Sequence, residues 1–398
     1  MPTTCVVEFE NNPEKVFYAG QLLCGTVQLT LTEKKNVRGI YIEIRGKAYA
    51  YWTREEDKKT VEYTGKETYL DKRIYFVGGK ESDVCVSAGS YNYNFECMLP
   101  SNQPTSFEGE TGYIRYTARV CLEIPLCNDI EFKVPFTVIR AINLNDDPTL
   151  KEPVLVEKYK KFNACFLLSS CSSDPLRIVA RTPVGGYTPG QVINLEIDVK
   201  NKSDQDVSEF TVELIKQIVY YENKNSYETK YEEISIIKRD ILGSDVNQEK
   251  MFRVNLEIPP IPPTDEDASN IVKVGYTIRI TGKKIGRHKN LVLYLPIIIG
   301  TFPILDATPP YNGQSNGYPQ TNNVISQQPS ASLLPDKNNL STVPYPGTTA
   351  PLASSEFPED DRPTYEESIR NVNNQEGGDN FKPKYPMYRR QTSYSTGN

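Results

Sequence analysis

The chain has 398 residues, a formal net charge of −6 and 38% hydrophobic residues, and it is rich in proline and tyrosine. Since single hydrophobic cores seldom grow beyond roughly 250 to 300 residues, this length predicts two domains. The acidic balance provides no basic surface of the kind that holds nucleic acid through its phosphates, so nucleic acid is not an expected partner.

The first ten residues have no basic start and no apolar stretch, which excludes a secretory signal of the usual pattern. The longest apolar run, Leu291 to Ile299, contains Pro296 and is much shorter than the ~20 residues that span a bilayer. We therefore expect a cytoplasmic protein whose contact with membranes is peripheral.

The sequence contains few candidate catalytic or metal-binding residues. The single histidine, His288, stands in a lysine-rich turn, and no P-loop, G-x-S-x-G or H-E-x-x-H sequence occurs. All eight cysteines lie within the first 171 residues and no two have C-x-x-C spacing, so a zinc site is not indicated. In a reducing compartment they are expected to be small buried hydrophobes. The sequence predicts a protein without catalytic residues, metal or cofactor.

A short sequence motif near the start of the chain is repeated about 170 residues later. Tyr18-Ala19-Gly20-Gln21 corresponds to Tyr187-Thr188-Pro189-Gly190-Gln191, and the apolar positions that follow keep this displacement. Further on, the phrase beginning at Tyr116 corresponds to the phrase beginning at Tyr276, at a displacement of 160. The order is kept while the spacing shrinks, as expected when one loop differs in length. The chain therefore contains an internal repeat, which predicts two copies of one structural unit.

The repeated segments alternate apolar and polar residues with a period of two, which predicts strands with one buried face. Such rows begin at Ile114, Ile193 and Val272. An all-β chain buries these faces by packing sheet on sheet, so the predicted fold class is all-β, with two tandem antiparallel β sandwiches. The expected boundaries are residues 1–140 and 164–304, with a polar connector at 141–163.

The composition changes after residue 304. Residues 305–398 hold 12 of the 29 prolines and no cysteine, with Asn, Gln, Ser and Gly between them. A segment of this kind buries too little apolar surface to offset its chain entropy, so a disordered tail is expected.

The sequence motifs of both halves resemble those of the α-arrestins, or arrestin-domain-containing proteins. The phrases that carry the resemblance are Tyr18 to Gln21, Gly25 to Val27, Val37 to Ile40, Phe95 to Pro100, Pro104 to Gly109, Gly112 to Tyr116, Gly186 to Gln191 and Asn201 to Ser203. The resemblance implies arrestin N-terminal-like and C-terminal-like sandwiches with immunoglobulin-like architecture. The first strand reads Cys5 to Glu10 and lacks the lysine pair with which the visual and β branch senses phosphate.

The resemblance also implies PPxY motifs in the tail, which dock WW domains of HECT-type ubiquitin ligases. No strict PPxY occurs, but three x-P-x-Y sequences do: Thr308-Pro309-Pro310-Tyr311, Arg362-Pro363-Thr364-Tyr365 and Lys382-Pro383-Lys384-Tyr385. Proline favours the extended polyproline II conformation that fits between aromatic rings, and the tyrosine fills a second pocket. The motif at Arg362 to Tyr365 ranks first because acidic residues flank it. Chance coincidence of two common residues is the alternative.

A basic turn between two predicted strands holds Lys283, Lys284, Arg287 and Lys289. Four cations in one turn favour contact with acidic lipid heads or acidic cargo. A solvated hairpin is the simpler interpretation.

These features predict an arrestin-fold adaptor that links membrane-protein cytoplasmic regions to WW-domain HECT ubiquitin ligases for endocytosis and sorting, at the plasma membrane and endosomes. The alternatives are a redox-linked regulator that binds thioredoxin, a retromer-type coat subunit and an extracellular adhesion protein. The long tail argues against the coat subunit, and the missing signal sequence argues against secretion.

Overall fold

The computed structural model describes residues 3–79, 83–161, 175–203, 205–284, 290–305, 364–367 and 381–388. The first half contains β1 (Thr4–Phe9), β2 (Val16–Tyr18), β3 (Leu22–Leu31), β4 (Lys35–Val37), β5 (Gly39–Glu56), β6 (Lys59–Gly78), β7 (Val84–Val86), β8 (Gly89–Met98), β9 (Phe107–Glu108), β10 (Gly112–Glu123) and β11 (Ile130–Ile139). The second half contains β12 (Val154–Lys160), β13 (Leu176–Thr182), β14 (Gly186–Tyr187), β15 (Val192–Asn201), β16 (Val207–Tyr221), β17 (Thr229–Ser244), β18 (Gln248–Glu257), β19 (Val272–Lys284) and β20 (Leu291–Ile299). A short 3-10 helix, Pro148–Lys151, lies between the halves, and the tail adds β21 (Thr364–Glu367) and β22 (Lys384–Met387).

Each half forms two packed sheets. In the first half one sheet has the order β1-β3-β8 and the other has the order β2-β11-β10-β5-β6, with β9 paired to β10. The second half repeats this arrangement as β12-β13-β15-β18 and β14-β20-β19-β16-β17. The pairings are antiparallel except β2 with β11 and β14 with β20, which are parallel. The predicted fold class of two tandem β sandwiches is confirmed.

The repeated phrase forms the same turn in both sandwiches. Gly20 and Gly190 adopt φ values of 86° and 90°, which lie in the left-handed region that favours glycine. The side chain of the following glutamine accepts a hydrogen bond from a backbone N–H three residues earlier, at 3.0 Å for Gln21 and 2.9 Å for Gln191. The sequence repeat is therefore a repeat of local hydrogen bonding as well as of hydrophobicity.

A second repeated feature fastens the loop before the central strand. The hydroxyl of Tyr116 donates to the carbonyl of Pro104 at 2.8 Å, and the hydroxyl of Tyr276 donates to the carbonyl of Pro262 at 2.7 Å. Both rings are buried, so each hydroxyl needs an internal acceptor, and the repeated proline carbonyl supplies it.

The predicted connector contains a strand of the second sandwich. Residues 154–160 form β12, which pairs along its whole length with β13. Its apolar residues, Val154 and Val156, pack against the core, whereas Leu155 and Tyr159 are exposed. The short alternation of this segment was hidden by its lysines, and pairing with β13 decides its structure.

The tail also departs in part from its prediction. Residues 381–388 lie against the body of the protein, and Tyr385 and Met387 are buried there. For this segment the expectation of an unfolded chain does not hold, because a neighbouring surface supplies the apolar contacts that the tail alone lacks.

Candidate functional site

The two described tail segments pair with each other. β21 and β22 are antiparallel, with Tyr365 opposite Pro386 and Glu366 opposite Tyr385. The second and third x-P-x-Y sequences therefore meet across one short ladder. The sequence did not predict this pairing, since the two motifs are separated by a polar segment that carries no strand signal.

The first sandwich binds β22 through three polar contacts. The backbone N–H of Lys384 donates to Thr137 Oγ1 at 3.2 Å, and Lys384 Nζ forms an ion pair with Glu14 at 2.7 Å. The Tyr385 hydroxyl donates to the backbone carbonyl of Ser106 at 2.9 Å. These contacts satisfy the backbone and the side chain of the strand at once.

The second sandwich holds the residue that follows β22. The N–H of Tyr388 donates to the carbonyl of Pro189 at 2.9 Å, and its hydroxyl donates to the carbonyl of Thr301 at 2.6 Å. Gly190 lies so close that an added Cβ would stand 2.2 Å from the Tyr388 carbonyl oxygen. The repeated Pro189-Gly190 turn thus leaves room for the tail to pass.

We call this surface the tail groove and define it by the residues that contact segment 384–388: Glu14, Ser106, Thr137, Pro189, Gly190 and Thr301.

Tyr385 is the anchor of the segment. Its ring is 1% exposed, and burial raises the pKa of its phenol well above the ordinary value, with a further contribution from the charge of Glu108. The hydroxyl is therefore protonated at neutral pH and acts as a donor. A signal for this burial exists in the sequence, because Phe381, Pro383 and Tyr385 alternate with Lys382 and Lys384.

The structure describes the third predicted docking motif completely, the second in part and the first not at all. In the third motif Pro383 and Tyr385 are buried while Lys382 and Lys384 are partly exposed. In the second motif Thr364 is exposed and the backbone of Tyr365 lies in β21. The remaining predicted residues, Arg362, Pro363 and the motif Thr308 to Tyr311, lie outside the described residues.

The basic turn is described only at its start. Lys283, the penultimate residue of β19, forms an ion pair with Glu209, and the charges of Asp240 and Glu213 also act on it. Lys284 lies at the end of β19, and Arg287 and Lys289 lie outside the described residues. For Lys283, therefore, a carboxylate already compensates the charge that the prediction assigned to lipid or cargo.

Polar contacts also join the two sandwiches directly. Asp265, 5% exposed, forms an ion pair with Arg140 at 2.9 Å and accepts the N–H of Thr105 at 3.3 Å. A second pair, Arg54 with Glu228 at 2.6 Å, lies at the surface. The carboxylate of Asp265 is buried, whereas both side chains of the Arg54–Glu228 pair are exposed. Each pair links residues from both halves.

Replacing Arg140 with alanine is expected to lower the free energy of unfolding by about 1 to 3 kcal/mol, because the buried carboxylate of Asp265 loses its charged partner. Denaturant unfolding monitored by circular dichroism measures the change. The matched control is Arg54→Ala, whose pair is solvated and whose loss should be much smaller. Equal losses in the two variants would contradict the assignment.

Four described cysteines are poor nucleophiles. Burial raises the pKa of the Cys5 thiol to about 11 and also raises the pKa values of Cys24, Cys97 and Cys121. The thiolate is the reactive form, so these residues carry little of it at neutral pH. Cys165 and Cys171 lie outside the described residues. In the part of the chain that the structure describes, no cluster of His, Cys, Asp and Glu has metal-site geometry.

Among the described residues there is no helix with the length and apolar character needed to cross a bilayer.

Comparison with known proteins agrees with this architecture. The family described as Arrestin (or S-antigen), N-terminal domain, matches residues 5–145, and the corresponding C-terminal domain family matches residues 172–304. Arrestin domain-containing protein 17 of Caenorhabditis elegans is 27% identical, and the match covers 95% of this chain and 97% of that protein. Arrestin domain-containing proteins 1 and 4 of Mus musculus are 23% and 26% identical, over 73% and 74% of this chain and 62% and 71% of their own lengths.

The two family matches together cover more than half of the chain, one in each sandwich, and β12 lies between them. The repeated turns, the order of the strands and these relatives point to the same group. The chain belongs to the arrestin family, as an arrestin-domain-containing protein of the α-arrestin branch.

Proposed function

We propose that this protein is an adaptor that links the cytoplasmic region of a membrane protein to a WW-domain HECT ubiquitin ligase, in the cytoplasm at the plasma membrane and endosomes. Membership of the arrestin family supports the adaptor class. The observation that carries the ligase half is the set of x-P-x-Y sequences in the tail.

The second of these motifs is the proposed principal docking sequence. Thr364 is exposed, and acidic residues surround the motif: Glu359, Asp360, Asp361, Glu366 and Glu367. Pro363 would favour the extended conformation that a WW groove accepts, and Tyr365 would fill the adjoining pocket. Several weak motifs on one chain would add avidity toward a ligase with several WW domains.

A peptide of residues 357–372 tests this proposal. We expect it to bind tandem WW domains of a HECT ligase, and we expect the Tyr365→Ala peptide to bind at least about tenfold more weakly, since loss of the tyrosine removes a buried aromatic anchor. Isothermal titration calorimetry measures both affinities. The control peptide carries Ser368→Ala, which leaves the Pro and Tyr positions intact. Equal binding of the wild-type and Tyr365→Ala peptides would end the ligase proposal while leaving the adaptor class untouched.

Cargo binding is assigned to the sandwiches and not to the tail. Proximity labelling in cells, comparing full-length protein with the Tyr365→Ala protein, separates the two roles. We expect the variant to lose ligases and to keep its membrane-protein neighbours.

A further inference from the structure

The tail segment 383–388 forms hydrogen bonds with both sandwiches and an ion pair with the first. Its polar backbone atoms and its side chains find separate partners in two sandwiches, with Ser106 and Thr137 on one side and Pro189 and Thr301 on the other. Pro383, Tyr385, Pro386 and Met387 are all buried. A segment with this many satisfied groups is bound as a ligand is bound in a peptide groove.

The two charged groups at the edge of the groove set the register of the segment. Lys384 points outward to Glu14, with its amine 2.7 Å from the carboxylate, while the residues on either side of it are buried. Pro383, Tyr385 and Met387 share one buried face with the period of an extended strand, and Pro386 between the last two is buried as well. A shift by one residue would bury the lysine and expose the tyrosine, so the register is specified.

The bottom of the groove recognises a phenol. The Tyr385 hydroxyl donates to the Ser106 carbonyl at 2.9 Å, and the ring is 1% exposed. The acceptor of this buried hydroxyl is therefore a backbone carbonyl oxygen. A phosphate ester on the phenol oxygen would lose the donor and would bring about two negative charges against that carbonyl in a buried position.

We propose that the tail groove is a peptide-binding site, that its ligand in the free protein is residues 383–388 of the same chain, and that it accepts Tyr385 only with an unmodified hydroxyl. A peptide that carries Pro-Lys-Tyr-Pro-Met-Tyr binds the groove when the chain's own segment is removed from it. The same peptide with phosphotyrosine at position 385 is rejected.

Peptide binding in the tail groove is independent of ligase docking, although the two share residues. The buried Tyr385 cannot fill the pocket of a WW domain until it leaves the groove, so the third x-P-x-Y sequence is closed to a WW domain while the segment is bound. In the second motif Thr364 and Tyr365 pair with the segment across the β21–β22 ladder, and Thr364 is exposed.

A fluorescent peptide of residues 379–390 tests the site on the full-length protein. In the Tyr385→Ala protein the intramolecular ligand loses its anchor, so we expect the peptide to bind at least about tenfold more tightly than to wild type, where the attached segment competes at high effective concentration. Fluorescence anisotropy measures the binding. A peptide with Phe at position 385 should bind about fivefold more weakly, as the loss of one hydrogen bond predicts. The phosphotyrosine peptide should bind at least about tenfold more weakly than the Phe peptide.

Three outcomes would overturn the proposal. They are equal binding of the peptide to wild type and Tyr385→Ala, no binding to a Tyr385→Ala protein with a wild-type circular dichroism spectrum, and equal binding of the phosphorylated and unmodified peptides. Tyr227→Ala serves as the control protein, because Tyr227 is 99% exposed and distant in sequence from every groove residue.

Hydrogen exchange of the wild-type protein measures the binding of the segment without any change at Tyr385. The backbone N–H groups of Lys384 and Tyr388 each donate to a protein oxygen, so we expect both to exchange at least about tenfold more slowly than in the free peptide. In a Thr137→Val protein only the Lys384 amide should lose protection. Exchange of both wild-type amides at the rate of the free peptide would refute the binding of the segment.

Discussion

Replacing Glu43 with alanine is expected to destabilise the protein by about 3 to 5 kcal/mol, since it removes the buried anion that three partly exposed arginines share. Glu43 lies in the central part of β5 and is 1% exposed. Its carboxylate contacts Arg119 at 2.7 Å, Arg73 at 3.0 Å and Arg45 at 3.4 Å. Without it, three cations on neighbouring strands face one another and no longer share an anion.

The pKa of Glu43 gives this prediction a pH dependence. Burial, the largest single effect, opposes ionisation, but hydrogen bonds from Arg73 and Arg119 and the charges of Arg119 and Arg45 outweigh it, so the pKa is lowered. A carboxyl whose pKa is lower in the folded state contributes stability that is fully present above the ordinary value of 4.5. That contribution is lost as the pH falls through the folded pKa.

Denaturant unfolding at several pH values measures both effects. The stability difference between wild type and Glu43→Gln should be largest above about pH 5 and should shrink at lower pH. The matched control is Glu131→Ala, which also removes a partner of Arg119 but lies near the surface, and it should cost about 1 kcal/mol or less. A difference between wild type and Glu43→Gln that stays constant down to about pH 3 would disprove the electrostatic account.

Replacing Phe136 with alanine is expected to cost about 3 to 5 kcal/mol through loss of buried area and the cavity left behind. The ring is fully buried in β11, and its centroid lies 5.6 Å from those of Phe9 and Phe17 and 6.0 Å from that of Tyr116. These rings come from strands of both sheets, so Phe136 joins the two layers of the first sandwich.

Thermal or denaturant unfolding followed by circular dichroism measures the loss. The control variant Tyr227→Ala removes an aromatic ring that is 99% exposed, and it should change stability by no more than about 0.5 kcal/mol. A Phe136→Leu protein should recover much of the loss because it refills most of the volume. A loss for Phe136→Ala no larger than that of the control would show that the ring does not join the layers.

The local structure of the two sandwiches follows from short-range sequence signals. Alternation with a period of two identified β10, β15 and β19, because one face of each strand is buried and the other is solvated. The Gly-Gln turns at Gly20 and Gly190 were recognised by their repetition, since a left-handed glycine and a glutamine acceptor are needed at the same place in both sandwiches.

Other features depend on contacts that are distant in sequence. β12 was taken for a connector because its lysines conceal a short apolar row, and it becomes a strand only by pairing with β13. Glu43 is an ordinary polar residue in the sequence, and only the register of β5 with β6 and β10 brings Arg73 and Arg119 to it.

In the tail, too, some features follow from the sequence and others from tertiary contacts. Its composition determined that residues 305–398 cannot build a core of their own, since too few apolar side chains stand among the prolines and polar residues. Only the tertiary structure decided that Tyr385 is buried, because the Ser106 carbonyl, the Thr137 hydroxyl and the Pro189 turn come from three remote parts of the chain. A segment without enough apolar surface to fold alone is ordered where two folded domains supply that surface.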